Sequence, residues 1–372
     1  MAGRRKRDAV WILSVDGGGI RGLLPALFIQ DLFRRVRFLE DRGARRSFGR
    51  TRKPRTVADY FDLIAGTSTG ALISLGLAMP NPVASDALPE IYRRYGNVIF
   101  PQDRFNLVRT VRHAFLEKYD AAPLEAVLSA IFGDAYLHEC RTNVLITAYD
   151  TYHREPFFFK HRPKSAATAN LADEPAEDFL LRDVARATSA APTYFAPARI
   201  QSRSGAWYTL VDGGLVANNP AMSAMIEAIK IFPQARKFVL VSFGTGTNGR
   251  AYEYNQIRKW GYFDWVSPVN GTPLLNMLYD AQTKSVNHYL EKLPNLEYYR
   301  FDTPLDEVSD ELDDAGEENM ANMATLARRA IGKNRIRLHR LARRLAGYPV
   351  LGQRRGAKKR RHESGTMSTG TM

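Results

Sequence analysis

The stretch VWILSVDGGGIRG, residues 10–22, joins an apolar run to three successive glycines. The run Val10–Val15 is short and rich in aliphatic side chains, which predicts a strand buried on both faces. Behind the glycines, leucines and a phenylalanine recur at spacings of one, three and four over residues 23–36, which predicts a helix. The stretch therefore predicts the strand–turn–helix unit of an α/β protein.

The same pattern recurs at two further places. Residues 60–65 and Phe238–Phe243 are apolar, and each run ends in a glycine turn, at 66–70 and at 244–247. The other predicted elements are strands at 143–149, 157–160 and 207–211 and helices at 71–79, 85–95, 122–132 and 221–230. Residues 41–58 and 162–178 are expected to be surface loops, and the aromatic-rich region 248–290 an irregular cap. Strands that alternate with helices predict a mostly parallel central sheet flanked by helices, with ligands at the carboxyl ends of its strands.

The composition excludes several classes of protein. The chain has 372 residues, 45% hydrophobic and 25% charged, as is usual for a globular protein of this size. Cys140 is its only cysteine, so a disulfide framework and a cysteine zinc site are excluded. The longest apolar run, 71–79, is far shorter than the roughly 18 residues of a membrane span. We expect a soluble, cytoplasmic protein with neither a metal nor another cofactor.

The net charge of +14 favours, at first sight, a nucleic acid or an anionic membrane as partner. The two ends carry this charge. Residues 1–60 hold 15 basic and six acidic side chains, and residues 328–372 hold 14 and one. The body, 61–327, holds 24 basic and 32 acidic side chains. Because the basic run 354–361 lacks aromatic residues for base stacking, specific nucleic-acid binding is the minor alternative.

Residues 335–345 alternate arginines with aliphatic side chains, which predicts a basic amphipathic helix. Two interpretations remain open. The helix either lies on anionic lipid, which makes the membrane surface a peripheral partner, or packs its apolar face against the domain. Before it, residues 314–317 resemble a capping box that opens another helix.

The sequence GTSTG, residues 66–70, fits the nucleophile elbow Gly-x-Ser-x-Gly. A serine on a sharp turn between a strand and a helix projects its hydroxyl, and flanking glycines let the backbone pass closely. The five-residue pattern alone is weak evidence for a nucleophile, because it occurs by chance in many proteins. Here, however, a predicted apolar strand precedes it and a predicted apolar helix follows it. Ser68 is therefore the candidate nucleophile; the alternative is a glycine-lined turn with a capping serine.

A serine nucleophile needs a base. None of the seven histidines stands beside a glycine turn at the end of a strand. The strongest candidate base is Asp212, which follows the predicted strand 207–211 and precedes two glycines. The alternative for this motif is an Asp-Gly hairpin turn.

Gly17, Gly18 and Gly19 offer successive backbone amides at a strand–helix junction, an arrangement that stabilises an anion. In acyl transfer these amides form an oxyanion hole. Arg21 can add positive charge nearby or bind a substrate phosphate. The alternative is a cradle for a nucleotide phosphate, but the spacing lacks the GxGxxG ending and no Walker lysine follows.

Taken together, DGGGIRG (16–22), GTSTG (66–70), ATSAAPTYF (187–195) and the DGG at 212–214 resemble, in this order, the motifs of patatin-like phospholipases. The resemblance covers about residues 10–305. It implies the three-layer α/β patatin-like fold and a lipid acyl hydrolase that cleaves fatty-acyl esters of phospholipids. It also implies a serine–aspartate dyad without histidine, with Ser68 as nucleophile, Asp212 as base and Gly17–Gly19 as the oxyanion hole.

A less specific resemblance concerns the end of the chain. Leu312-Asp313-Asp314-Ala315, leading into a C-terminal helix, is similar to a stretch in bacterial patatin-like effectors of antiphage defence. This resemblance implies a cyclic-oligonucleotide activator and membrane degradation at the inner face of the membrane. A constitutive esterase or thioesterase of lipid metabolism is the alternative.

These observations divide the chain into four parts. A basic N-terminal tail, 1–9, precedes the patatin-like domain at 10–305. A helical extension at 306–346 and a basic tail at 347–372, expected to be disordered, follow it.

Overall fold

A computed structural model describes residues 9–46, 55–102, 117–162, 177–247, 251–266 and 272–348. Within these ranges eight strands form one sheet. The strands are β1 (Val10–Val15), β2 (Leu63–Gly66), β3 (Asn143–Asp150), β4 (Glu155–His161), β5 (Ala198–Gln201), β6 (Trp207–Asp212), β7 (Phe238–Phe243) and β8 (Leu296–Phe301). The helices are α1 (Leu23–Arg46), α2 (Thr69–Ala78), α3 (Leu88–Ile99), α4 (Ala122–Phe132), α5 (Leu181–Thr188), α6 (Gly214–Ala217), α7 (Ala221–Ile231), α8 (Tyr254–Ile257), α9 (Tyr262–Val266), α10 (Pro273–Leu290), α11 (Glu317–Lys333) and α12 (Arg335–Leu345).

The sheet is mostly parallel in its centre and antiparallel at one side. Its strand order is β5-β6-β3-β2-β1-β7-β8, and β4 pairs with β3 outside this path. β1, β2, β3, β7 and β8 run parallel, whereas β4, β5 and β6 pair in antiparallel fashion. The predicted α/β class, a mostly parallel sheet flanked by helices, is confirmed.

Helices cover both faces of the sheet, which explains why β1 is apolar throughout. Leu13 and Val15 pack into the larger core with α1 and α2. Ile12, which points to the opposite face, packs with α7 and with Leu290 of α10. Successive side chains of a strand alternate between faces, so a strand covered on both faces needs apolar residues at nearly every position.

β3 brings the carboxyl ends of two other strands together. Its first half pairs with β2, where Gly66 lies opposite Ile146. Its second half pairs with β6, where Asp212 lies opposite Ala148. Two residues of a strand span about 7 Å, so the turn after β2 and the end of β6 meet at one edge of the sheet.

Several predicted boundaries were wrong. β2 begins at Leu63 because a short 3-10 turn occupies Val57–Asp59. α1 continues to Arg46, into the predicted loop 41–58, and α3 begins three residues later than predicted. The region 248–290, predicted to be irregular, contains the 18-residue helix α10. The edge strands β5 and β8 have no counterpart in the sequence-based prediction.

The C-terminal helices belong to the fold. Leu338, Leu341 and Leu345 of α12 are buried in the main core, and Arg337 donates hydrogen bonds to carbonyl oxygens of β8. The apolar face of α12 therefore packs against the domain, and the lipid-facing interpretation of this face was wrong. The capping box did not form either, since Gly316 is the N-cap of α11.

Residues 1–8 and 349–372 lie outside the described residues, and so do residues 163–176 of the predicted loop 162–178. No helix within the described ranges has the length and apolar character to cross a bilayer.

Candidate active site

Ser68 occupies a sharp turn between β2 and α2. Its backbone has φ 51° and ψ −125°, a strained combination for a residue with a side chain. The turn depends on its glycines: a Cβ at Gly66 would lie 2.6 Å from the Cα of Ala71, and one at Gly70 would lie 2.5 Å from the Asp16 carbonyl oxygen. The Ser68 amide donates to Thr188 Oγ1 at 2.9 Å. This is the geometry of a nucleophile elbow.

Asp212 ends β6 beside this turn. Its buried carboxylate lies beside the Ser68 hydroxyl and accepts the Gly214 amide at 2.6 Å. Burial raises the pKa of Asp212 to about 7, although the Gly214 amide and the Ser68 hydroxyl both favour the charged form. The chain continues from Gly213 into α6, so the alternative of an Asp-Gly hairpin is excluded.

No histidine among the described residues lines the cavity that contains Ser68 and Asp212. His153 pairs with Asp150 through Nδ1 at 2.8 Å, but its side chain is 58% exposed. His138 makes a similar exposed pair with Asp178 at 2.6 Å. His113 and His362 lie outside the described residues.

The three glycines after β1 differ in what their amides do. The Gly17 amide donates to the Asn218 carbonyl oxygen at 2.9 Å, so it is already used within the fold. Gly18 and Gly19 line the same cavity as Ser68 and Asp212. The Gly17 amide is thus unavailable to an oxyanion, and an oxyanion hole at Gly18 and Gly19 stays a prediction. Gly19 has φ +57°, which favours glycine at this position.

Arg21 is buried behind this loop. Its Nε donates to the Gly18 carbonyl oxygen at 3.3 Å, and burial lowers its pKa. Its side chain lines a polar cavity of about 40 Å³ together with Asn218 and Tyr279, which also line the Ser68 cavity. Arg21 is thus placed to carry positive charge next to the glycine loop and outside the apolar part of the site.

A buried ion-pair network anchors the start of the glycine loop. Arg300 of β8 contacts Asp16 at 2.7 Å and Asp302 at 2.5 Å. Asp302 in turn accepts the Gly246 amide at 2.9 Å. Burial raises the pKa of Asp16 to about 6, and the Arg300 guanidinium opposes this rise. The network ties the ends of β1, β7 and β8 together beside the site.

An apolar cavity of about 110 Å³ contains Ser68 and Asp212. It follows α2 away from Ser68 and lies between α2, α3 and α4. Its walls are mainly aliphatic, and they include Leu72, Ile73, Val83, Leu124, Leu128 and Ile131. Ser68 and Asp212 are polar groups in a cavity whose other walls are mainly apolar. Such a cavity suits a substrate with an apolar chain and one reactive polar bond.

The structure adds residues to the site that the sequence did not predict. Thr188 of the stretch 187–195 accepts the Ser68 amide. Arg300 lies in an unpredicted edge strand, and Tyr279 lies in the unpredicted helix α10. Arg300 reaches Asp16 from far along the chain, and Tyr279 meets Ser68 only in the folded cavity, so local pattern could not identify either residue.

Comparison with known proteins agrees with these motifs. The family model "Patatin-like phospholipase" matches residues 13–225. Patatin-like protein 2 of Oryza sativa subsp. indica is 31% identical over 88% of this chain and 85% of its own length. Patatin-like protein 2 of Arabidopsis thaliana is 33% identical over 76% of this chain and 72% of its own length. The chain therefore belongs to the patatin-like phospholipase family, a family of lipid acyl hydrolases.

Proposed function

We propose that the protein is a serine esterase of the phospholipase A type that releases fatty acids from membrane phospholipids. The observation that carries the proposal is that the Ser68 hydroxyl and the buried Asp212 carboxylate lie together in one apolar cavity. A hydroxyl with an adjacent base is the arrangement that nucleophilic catalysis needs. The apolar walls fit a fatty-acyl chain.

In the proposed reaction, Asp212 accepts the Ser68 proton while Ser68 Oγ attacks the ester carbonyl carbon. The Gly18 and Gly19 amides donate to the oxyanion, and each such donor contributes about 3 kcal/mol to the transition state. Collapse of the intermediate expels the lysophospholipid alkoxide, which takes the proton from Asp212. Water then gives a proton to Asp212 and attacks the acyl-enzyme carbonyl carbon. When the second intermediate collapses, the fatty acid leaves and Ser68 Oγ takes the proton back from Asp212.

Arg21 has a supporting part in this proposal. Its guanidinium, which lines the polar cavity next to the glycine loop, adds positive charge for the oxyanion or for the phosphate of the lipid head group. The membrane surface is the proposed peripheral partner. Since the apolar face of α12 is buried, contact with lipid through this helix would be made by its exposed residues, which include Arg335, Ile336 and Arg340.

The direct test is hydrolysis of phospholipid vesicles, one set neutral and one set anionic. We expect fatty acid and lysophospholipid in equal amounts, since one acyl ester is cleaved per turnover. Parallel samples with a panel of cyclic di- and trinucleotides test the activator that the 312–315 resemblance implies. Cleavage of acyl thioesters but of no phospholipid, with or without the panel, would reject the proposal in favour of a thioesterase.

The cavity predicts a dependence on acyl-chain length. Gly76 of α2 lines the cavity eight residues after Ser68, about 12 Å along the helix axis. A Cβ at Gly76 would come no closer than 3.4 Å to Val83, so Gly76→Ala should keep the chain-length preference. Gly76→Leu should fill the cavity and lower kcat/KM for long-chain p-nitrophenyl esters about 10-fold or more, with butyrate little affected. An equal effect on all chain lengths would place the acyl chain elsewhere.

A further inference from the structure

The segment between β8 and α11 crosses the catalytic end of the molecule. We call residues 312–315 the strap. Leu312 lines the apolar cavity together with Gly19 and Ser68, and its carbonyl oxygen accepts the Ile20 amide at 2.8 Å. This carbonyl packs so closely on Gly19 that a Cβ at Gly19 could not be accommodated. The strap is therefore both a wall of the cavity and a brace for the glycine loop.

Asp313 fastens the strap. Its carboxylate is 3% exposed, accepts the Tyr119 hydroxyl at 2.6 Å and forms an ion pair with Lys118. Its carbonyl oxygen accepts the Gln102 side-chain amide at 2.8 Å. A buried carboxylate is tolerated only when it is paired and hydrogen-bonded, so these contacts hold the strap in one position.

Lys118 and Tyr119, the partners of Asp313, are themselves hydrogen-bonded to a wall of the cavity. The amides of Lys118 and Tyr119 donate to the carbonyl oxygens of Thr193 and Tyr194, both at 2.9 Å. Tyr194 lines the apolar cavity. Asp313 thus connects the strap, which supports the glycine loop, to the wall of the cavity that contains Tyr194.

We propose that Asp313 is a positioning residue for acyl transfer, which fixes the strap so that Leu312 holds the Gly18 and Gly19 amides in place. This inference rests on the proposed function. Oxyanion donors act within a narrow range of distances, about 2.7–3.1 Å, and a displacement of about 1 Å can cost roughly 100-fold in rate. Loss of the Asp313 contacts should therefore lower kcat and leave KM nearly unchanged.

The test is Asp313→Asn, with Glu307→Gln as the matched control, since Glu307 is an exposed acid of the same segment that pairs with Arg329. The substrate is p-nitrophenyl butyrate, too short to depend on the far end of the cavity. Complete labelling with a fluorophosphonate counts the functional sites. We expect kcat per labelled site to fall about 10- to 100-fold in Asp313→Asn and to stay at the wild-type value in Glu307→Gln.

A purely structural role would reduce the number of labelled sites or the Tm and leave kcat per site unchanged, and that result would overturn the inference. If Asp313→Asn does not fold, Tyr119→Phe decides, because it keeps the buried ring and removes one hydrogen bond to Asp313. We expect a loss of about 3- to 10-fold in kcat per site; no loss would overturn the inference. If the wild-type protein shows no turnover, or a turnover that Ser68→Ala does not abolish, the proposed function is overturned as well.

Discussion

Ser68→Ala should lower the release of fatty acid from phospholipid vesicles by about 10⁴-fold or more, because no acyl-enzyme can form without the hydroxyl. The fold should survive the change: the Ser68 amide, which donates to Thr188 Oγ1, is retained, and alanine removes only the hydroxyl. Liberated fatty acid is measured per mole of protein, and thermal unfolding is measured on the same samples.

Ser74→Ala is the matched control for this variant. Ser74 lies on α2, the helix that follows Ser68, and its hydroxyl donates to the Ala65 carbonyl oxygen at 2.9 Å. Its removal should cost about 1 kcal/mol of stability and leave turnover largely intact. Residual activity of Ser68→Ala above a few per cent would mean that another residue is the nucleophile.

Asp212→Asn should lower kcat/KM about 10³-fold or more, since asparagine cannot accept the Ser68 proton. Its side-chain oxygen can still accept the Gly214 amide, so the local geometry is retained. Asp150→Asn is the matched control, because Asp150 is a buried strand-end aspartate paired with His153, and it lies outside the cavity that contains Ser68 and Asp212. Near-normal turnover of Asp212→Asn would show that a different base serves Ser68.

The pH dependence follows from the same carboxylate. The base must be ionised to act, and burial raises the pKa of Asp212 to about 7. The kcat/KM of the wild type should therefore rise with pH up to about 7 and level off above it. A profile that is flat between pH 5 and pH 8 would contradict this assignment.

The free energy of unfolding should change with pH in the sense opposite to kcat/KM. Folding raises the pKa of Asp212 from 3.8 to about 7, so the native state binds the proton more tightly than the unfolded state does. Stability is then lost as pH rises from about 4 to about 7. Asp212→Asn, which has no charge to bury, should raise Tm relative to wild type, and more at pH 8 than at pH 5.

The centre of the fold and the two dyad candidates could be predicted because their signals are local. Val10–Val15 has the continuous apolar character that a strand covered on both faces requires. Ser68 and Asp212 stand out because glycines flank them at the ends of apolar runs. Their proximity depends on the register of β3 with β2 and β6, which local pattern does not contain.

The rest depends on contacts between distant parts of the chain. The Gly17 amide donates to the carbonyl oxygen of Asn218. Arg300 reaches Asp16 from β8, an edge strand whose mixed polarity gives no clear strand pattern in the sequence. The amphipathic pattern of α12 is the same whether its apolar face meets lipid or α1, so sequence left both interpretations open. Only tertiary packing distinguishes them.

The central claim is a Ser68–Asp212 dyad that works without histidine. Its most direct test is the rate and position of covalent labelling by a fluorophosphonate, followed by intact mass and peptide mapping in the wild type and in Asp212→Asn. We expect a single adduct on Ser68 in the wild type and labelling slowed at least about 100-fold in Asp212→Asn. An adduct on another residue, or labelling of Ser68 at an unchanged rate in Asp212→Asn, would contradict the claim.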